Sequence, residues 1–218
     1  MKYLLFILLI FFLIFSFFNF GKYIDISMKP KQVDIVVSLN EGIERVNKSL
    51  EVIKQGYVKK NILLLTYKRK THIDYILKKI PTIHLVFTSK PFNTAEEIRF
   101  IKQYMLKHHY TSAMIISDPP HTRRIEILTK LIHIKGDDML KFIIIGSNVK
   151  WWNAKSFYKS KKSFRFVVTE LLKIPYTYIW YGGIEKIGIK WNIDTYKEVK
   201  SVFNKIIFNF MNILGFKS

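Results

Sequence analysis

Thr111-Ser112-Ala113-Met114-Ile115-Ile116-Ser117-Asp118-Pro119-Pro120-His121-Thr122-Arg123-Arg124 decides how the rest of the chain is read. Ala113 to Ile116 is a short apolar run, the mark of a buried strand. Ser117 and Asp118 end it. Pro119 and Pro120 cannot continue a strand and suit the start of a helix. His121, Arg123 and Arg124 then fall where that helix begins. This pattern places polar groups at the carboxyl edge of a sheet, where α/β folds bind ligands.

The same alternation extends in both directions. Apolar, β-branched runs at 33–38, 61–66, 82–87 and 139–146 read as four further strands. Between and after them, apolar residues recur at helical spacing over 42–55, 71–79, 94–109, 121–134 and 157–174. Pro175 is expected to stop the last of these, and Trp151-Trp152 fall in a loop. Strands alternating with helices predict βαβ units and a mostly parallel, five-stranded sheet, an α/β fold. No sequence repeat of solenoid type is present. After the Gly182-Gly183 break, 195–214 is amphipathic, with Val199, Val202, Phe203, Ile206, Phe210 and Leu214 at three- and four-residue steps. Packing on the domain is the default for that helix, and lying on a membrane is the alternative.

Residues Tyr3 to Phe18 carry no charge, and the stretch reaches bilayer-spanning length with Asn19 and Phe20. No small-x-small cleavage site follows, so an uncleaved anchor is favoured over a signal peptide. The expected organisation is a transmembrane anchor at 1–23, a polar linker at 24–32, an α/β domain at 33–182 and a helical extension at 183–218. Lysines on both sides of the anchor only mildly favour a cytoplasmic body.

Of 218 residues, 49% are hydrophobic, which supports a sizeable core and excludes global disorder. The absence of cysteine excludes disulfides, thiolate metal sites and cysteine nucleophiles. Net charge is +20, carried mostly by scattered lysines. Specific nucleic-acid binding is not expected, because arginine, the better base reader, is scarce. Attraction to anionic lipid, or a plain compositional bias, accounts for the charge.

Two clusters carry candidate chemistry. His121, at a helix start beyond a buried strand, suits proton transfer, and Arg124 offers a planar fork to phosphate or carboxylate. A capping role for His121 with solvated arginines is the plain alternative. Ser89, Asn93, Thr94 and Glu97 follow the third strand and reach the same edge. Thr94 with Glu97 also has capping-box spacing. Arg45 lies one turn into the first helix of the domain. No GxGxxG, P-loop, HExxH or GxSxG occurs, so no nucleotide, metal or serine-hydrolase site is assigned and the cofactor is unknown.

Together these segments resemble the YdcF/SanA/ElyC-like family of bacterial envelope proteins. Asp34-Ile35-Val36-Val37 followed by a helix with Arg45, Leu50 and Gly56 is similar to the family's opening. Ser89-x-x-x-Asn93-Thr94-x-Glu96-Glu97 resembles its Ser-x-Asn-Thr-x-Glu-Asn signature, and Ser117-x-x-x-His121-x-Arg123-Arg124 its Ser-x-Tyr-His-Met-x-Arg segment. Trp152 and Glu170-x-x-Lys173 also fit. The chain departs from the pattern at Leu39-Asn40 and Tyr67-Lys68, where glycines are usual, and at Glu97 and Pro120.

The resemblance implies a Rossmann-like, three-layer α/β domain behind an amino-terminal transmembrane helix. It implies a single-pass protein of the bacterial plasma membrane with the soluble domain on the extracytoplasmic side. The expected ligand is a phosphorylated or anionic metabolite of peptidoglycan or lipid-carrier metabolism. By position, His121 and Glu96 are the expected catalytic residues. Arg45, Ser89, Asn93, Thr94, Ser117 and Arg124 are the expected ligand contacts. The alternatives are a non-catalytic envelope factor that binds a protein partner, and an S-adenosylmethionine-binding protein.

Overall fold

The computed structural model describes residues 2–39, 42–88, 93–188 and 193–213. Five strands form one sheet: β1 (Ile35–Ser38), β2 (Ile62–Leu65), β3 (His84–Phe87), β4 (Ser112–Ser117) and β5 (Lys141–Gly146). All pairs are parallel, in the order β3-β2-β1-β4-β5. Helices α2 (Ile43–Lys54), α3 (Lys70–Lys79), α4 (Thr94–Lys107) and α5 (Thr122–Leu131) make the crossovers.

The continuous apolar runs have a physical cause. Strands of a parallel sheet are covered on both faces, so both sets of side chains must be apolar. Ile35, Val37, Leu64 and Ile115 pack against α4 and α5. Val36, Leu63, Leu65 and Met114 pack against α2 and α3. The chain leaves β1 on one side towards β2, and β4 returns on the other. The point where strand order reverses therefore lies between β1 and β4, the usual place for a ligand crevice.

Two segments differ from expectation. Helix α6 (Lys161–Gly182) runs straight through Pro175 and does not stop before it. Its inward positions Ile174, Thr177 and Tyr181 are buried, and their packing outweighs the single backbone bond that proline removes. Thr177 Oγ1 also donates to the Lys173 carbonyl at 2.7 Å. The second is the polar linker, whose first half is bonded to the domain. Ile24 is fully buried, Ile26 N–H donates to Thr122 Oγ1 at 2.9 Å, and Met28 N–H donates to the Ile144 carbonyl at 2.8 Å.

Helix α1 (Lys2–Ile24) is long and apolar enough to cross a membrane, and Tyr3 to Phe15 are all exposed. Its last turns enter a third apolar cluster. Phe17, Phe20 and Ile24 pack there with Phe157 and Phe164, and with Ile207 and Met211 of α7 (Ile193–Ile213). The fit is close enough to require glycine: a Cβ at Gly21 would collide with the Ala154 carbonyl and lie 2.7 Å from the Phe157 ring.

Candidate functional site

β4 delivers its polar end where the β1/β4 switch point requires it. Beyond Ser117, Pro119–His121 form one tight 3-10 turn, and α5 starts at Thr122. Asp118, just before the turn, accepts a two-pronged bond from Arg45, Nε to Oδ1 at 2.9 Å and Nη2 to Oδ2 at 2.7 Å. Arg45 Nη1 donates to the Leu39 carbonyl at 2.6 Å, and Ser147 Oγ donates to Asp118 Oδ1 at 3.1 Å. These bonds lash the ends of β1, β4 and β5 together. Burial opposes the Asp118 charge, but Arg45 outweighs it and holds the carboxyl below its ordinary value. Arg45 is thus a brace under the site, with its guanidinium committed to protein acceptors.

The centre of the site is His121, Arg124 and Glu170. Glu170, on α6, has no exposed surface. Its Oε1 lies 2.8 Å from His121 Nδ1, and its Oε2 accepts from Arg124 Nε at 2.8 Å. Arg124 Nη2 reaches Oε1 at 3.3 Å and adds a second prong. Burial works to raise the Glu170 pKa, but Arg124, helped by His121, brings it down to about 2. The carboxylate is therefore an acceptor at neutral pH, so His121 Nδ1 must carry the proton it donates. The 3.3 Å approach of Arg124 Nη2 to that same Nδ1 is then proximity between two donors. Burial pushes the His121 pKa down more strongly than Glu170 pushes it up, so the ring is neutral. Its Nε2 is left with a lone pair and, among the described residues, no hydrogen-bond partner. A neutral imidazole oriented by a carboxylate is the arrangement of a general base.

His121 lines a cleft of about 640 Å³ at the carboxyl edge of the sheet. Arg124, Arg45, Ser117, Asn93 and Thr94 also line it, so the structure brings together six of the eight sequence-predicted residues. Ser89 lies outside the described residues. Glu96 is not among the cleft-lining residues; it pairs with Arg99 Nη1 at 2.5 Å, and Arg99 also bonds Glu185. The reason is helix register. Asn93 caps α4, its side chain accepting from Glu96 N–H at 2.9 Å, and the side chains of Glu96 and Glu97 diverge by about 100° around the axis. Glu97 is the carboxylate in the cleft, accepting from Thr66 Oγ1 at 2.5 Å. The capping box is not formed; Thr94 Oγ1 instead accepts a long 3.5 Å bond from Arg124 Nη1.

Several cleft residues lay outside the sequence-based set. Lys173 follows Glu170 by one helical turn and has no ion-pair partner among the described residues. Burial and the nearby Arg124 charge bring its pKa down to about 8. Lys68 and Lys200 also line the cleft, and Tyr176, Tyr181, Val199 and Phe203 supply its ring-rich and apolar wall. Arg45 and Arg124 are paired with Asp118 and Glu170, and Lys68, Lys173, Lys200 and Glu97 line the cleft beside them. Among the described residues, no cluster of three or more histidines and carboxylates could hold a metal ion.

No known protein-family model, curated protein or solved structure matches this chain.

Proposed function

We propose that this is a membrane-anchored, YdcF-like protein of the bacterial cell envelope. Its cleft binds a phosphorylated or otherwise anionic metabolite of peptidoglycan or lipid-carrier metabolism, on the extracytoplasmic side of the plasma membrane. The observation that carries the reading is that His121, held neutral and oriented by Glu170, and Lys173 line the same cleft. Lys173 and the free edge of Arg124 hold the anion. His121 Nε2 accepts a proton from a hydroxyl or water brought beside it. Glu170 fixes the tautomer and does not itself transfer protons.

The test is calorimetric titration of the full-length protein in lipid nanodiscs with inorganic pyrophosphate and with farnesyl phosphate. Binding is expected for the wild type. Lys173→Gln should weaken it by about tenfold, the loss of one charge-assisted hydrogen bond. His121→Asn should retain binding and lose any turnover of the bound compound. Absence of binding by either probe, or equal binding by Lys173→Gln, would overturn the proposal. A reporter fused to the carboxyl terminus tests the side of the membrane.

A further inference from the structure

Helix α7 carries an apolar arc wider than the domain covers. Ile207 and Met211 face inward and are buried, while Val199 and Phe203 reach the cleft wall. Val202, Ile206, Phe210 and Ile213 form a second stripe, at three- and four-residue steps, and all four are exposed. Ser201, Lys205 and Asn209 lie to the other side of that stripe and are also exposed. One apolar half of the helix seats the domain, and the adjoining half is exposed, with nothing among the described residues covering it.

The neighbourhood of that half is defined by α1. Ile207 and Met211 share one apolar cluster with Phe17, Phe20 and Ile24, the end of the apolar anchor. The α1 exit is not a swivel. Gly21 fits against Ala154 and Phe157 only because it lacks a side chain, and Trp152 Nε1 donates to Asp25 Oδ2 at 2.8 Å. Tyr158 meets Phe18 edge-on at 5.1 Å. What lies beside the α1 exit is therefore held at the level where α1 leaves the bilayer.

The residues beside that exit are basic. The segment 150–165 contains Lys150, Lys155, Lys159, Lys161, Lys162 and Arg165 and no acidic residue, and all six are exposed. Lysines next to a membrane-spanning helix attract anionic headgroups. Tyr158 and Trp152 among them are the residue types that favour the headgroup zone.

We infer that the exposed stripe of α7 and the basic segment 150–165 form one docking face for the anionic surface of the bilayer that α1 spans, with Val202, Ile206 and Phe210 entering its acyl boundary. The inference depends on α1 being a span and is independent of the ligand read for the cleft. A second copy of the chain is the competing occupant of the stripe. The bilayer is favoured because the helix that carries the stripe packs on the α1 exit through Ile207 and Met211, and the neighbouring segment 150–165 is basic with no acidic residue.

The chain has no cysteine, so single cysteines give unambiguous labelling sites. Spin labels at Leu9, Val202, Ile206, Phe210, Ser201 and Lys205 would be read in the full-length protein in phosphatidylcholine–phosphatidylglycerol nanodiscs. Accessibility to oxygen and to a water-soluble nickel chelate gives depth. Positions 202, 206 and 210 should be several-fold richer in oxygen than in nickel collisions, and shallower than position 9. Positions 201 and 205 should favour nickel. Replacing Lys155, Lys159 and Lys162 with serine should remove the dependence of the position-206 depth on phosphatidylglycerol content. Nickel exposure at 202, 206 and 210, with position 9 still oxygen-rich, would overturn docking while keeping the span. Exclusion of both reagents from the stripe would also overturn it, since protein would then cover it. Nickel exposure at position 9 would overturn the span and the docking together.

Discussion

The Glu170 carboxylate, fully withdrawn from solvent, lies 2.8 Å from His121 Nδ1 through one oxygen and 2.8 Å from Arg124 Nε through the other. Removing its charge leaves a buried guanidinium without its counter-ion. Glu170→Gln is expected to destabilise the protein by about 3–5 kcal/mol. A Glu170→Leu, Arg124→Leu double variant should recover much of that loss, because neither charge is then stranded. Chemical unfolding followed by tryptophan fluorescence measures both. A double variant no more stable than the single one contradicts this account of the pair.

The same carboxylate sets acid stability. Its folded pKa, about 2, lies below its unfolded value of 4.5, so its contribution is complete above the unfolded value and is lost as pH falls towards about 2. The size of that contribution is on the order of 3 kcal/mol. Stability of the wild type should therefore fall on acidification through this window more steeply than that of Glu170→Gln. Parallel stability–pH curves for the two proteins would show that the pair does not govern the acid limb.

Lys173 predicts the opposite limb for ligand binding. Burial and Arg124 place its folded pKa at about 8, below its ordinary 10.5. The charged form costs the folded state stability below pH of about 8, and that cost disappears as pH rises from there to the unfolded value. Anion affinity should move the other way and fall as pH rises through about 8. Lys173→Arg, charged throughout, should flatten the profile. Titration with pyrophosphate at a series of pH values reads this directly, and an unchanged affinity across the window would rule Lys173 out as the anion holder.

Arg45 should behave as a brace. Its fork spans two oxygens of Asp118 at 2.9 and 2.7 Å, a geometry that lysine cannot reproduce. Arg45→Lys is expected to cost about 1–3 kcal/mol of stability and to leave pyrophosphate affinity of the folded protein unchanged. A selective loss of affinity at full stability would make Arg45 a ligand contact after all.

Gly21→Ala tests the α1 junction. The added methyl meets the Ala154 carbonyl and the Phe157 ring, so the helix must move away from the loop. Overpacking of this kind costs about 1–3 kcal/mol. Thermal unfolding in nanodiscs should register it, together with faster motion of a spin label at Lys22. A melting temperature and label mobility equal to the wild type would mean that the junction yields freely.

Much of the fold was legible because both faces of a parallel sheet are covered, and the runs of Ile, Leu and Val announce this locally. His121 and Arg124 were legible for the same reason, as polar residues next to such a run. Glu170 was not assigned to the site, since it is separated from His121 by 49 positions and only packing of α5 on α6 unites them. A signal was present all the same. Glu170 is the sole acidic residue between Asp138 and Glu185, and it falls on the inward face of its helix with Val167 and Ile174. A carboxylate at a core position demands a cation. Glu96 is the sequence-based choice because it stands where the resembled signature has its Glu, but one residue along α4 turns a side chain by about 100°, and Glu97 is the carboxylate that reaches the cleft. Pro175 misled because a proline's effect depends on how firmly tertiary contacts hold the flanking turns.

Helix α1 is two materials joined end to end. Its outer thirteen or so residues, Tyr3 to Phe15, ask only to be greasy, and many sequences would serve. Its inner turns are cut to fit one domain: Ile24 is buried in the core, Phe17 and Phe20 pack against it half-buried, and Gly21 fits only without a side chain. Exchanging the whole helix for another of equal length and apolarity would keep a helix able to cross a membrane and still unseat part of the interior. Helix α1 is therefore a component of the folded body, and its inner turns will resist transplantation as a core helix does.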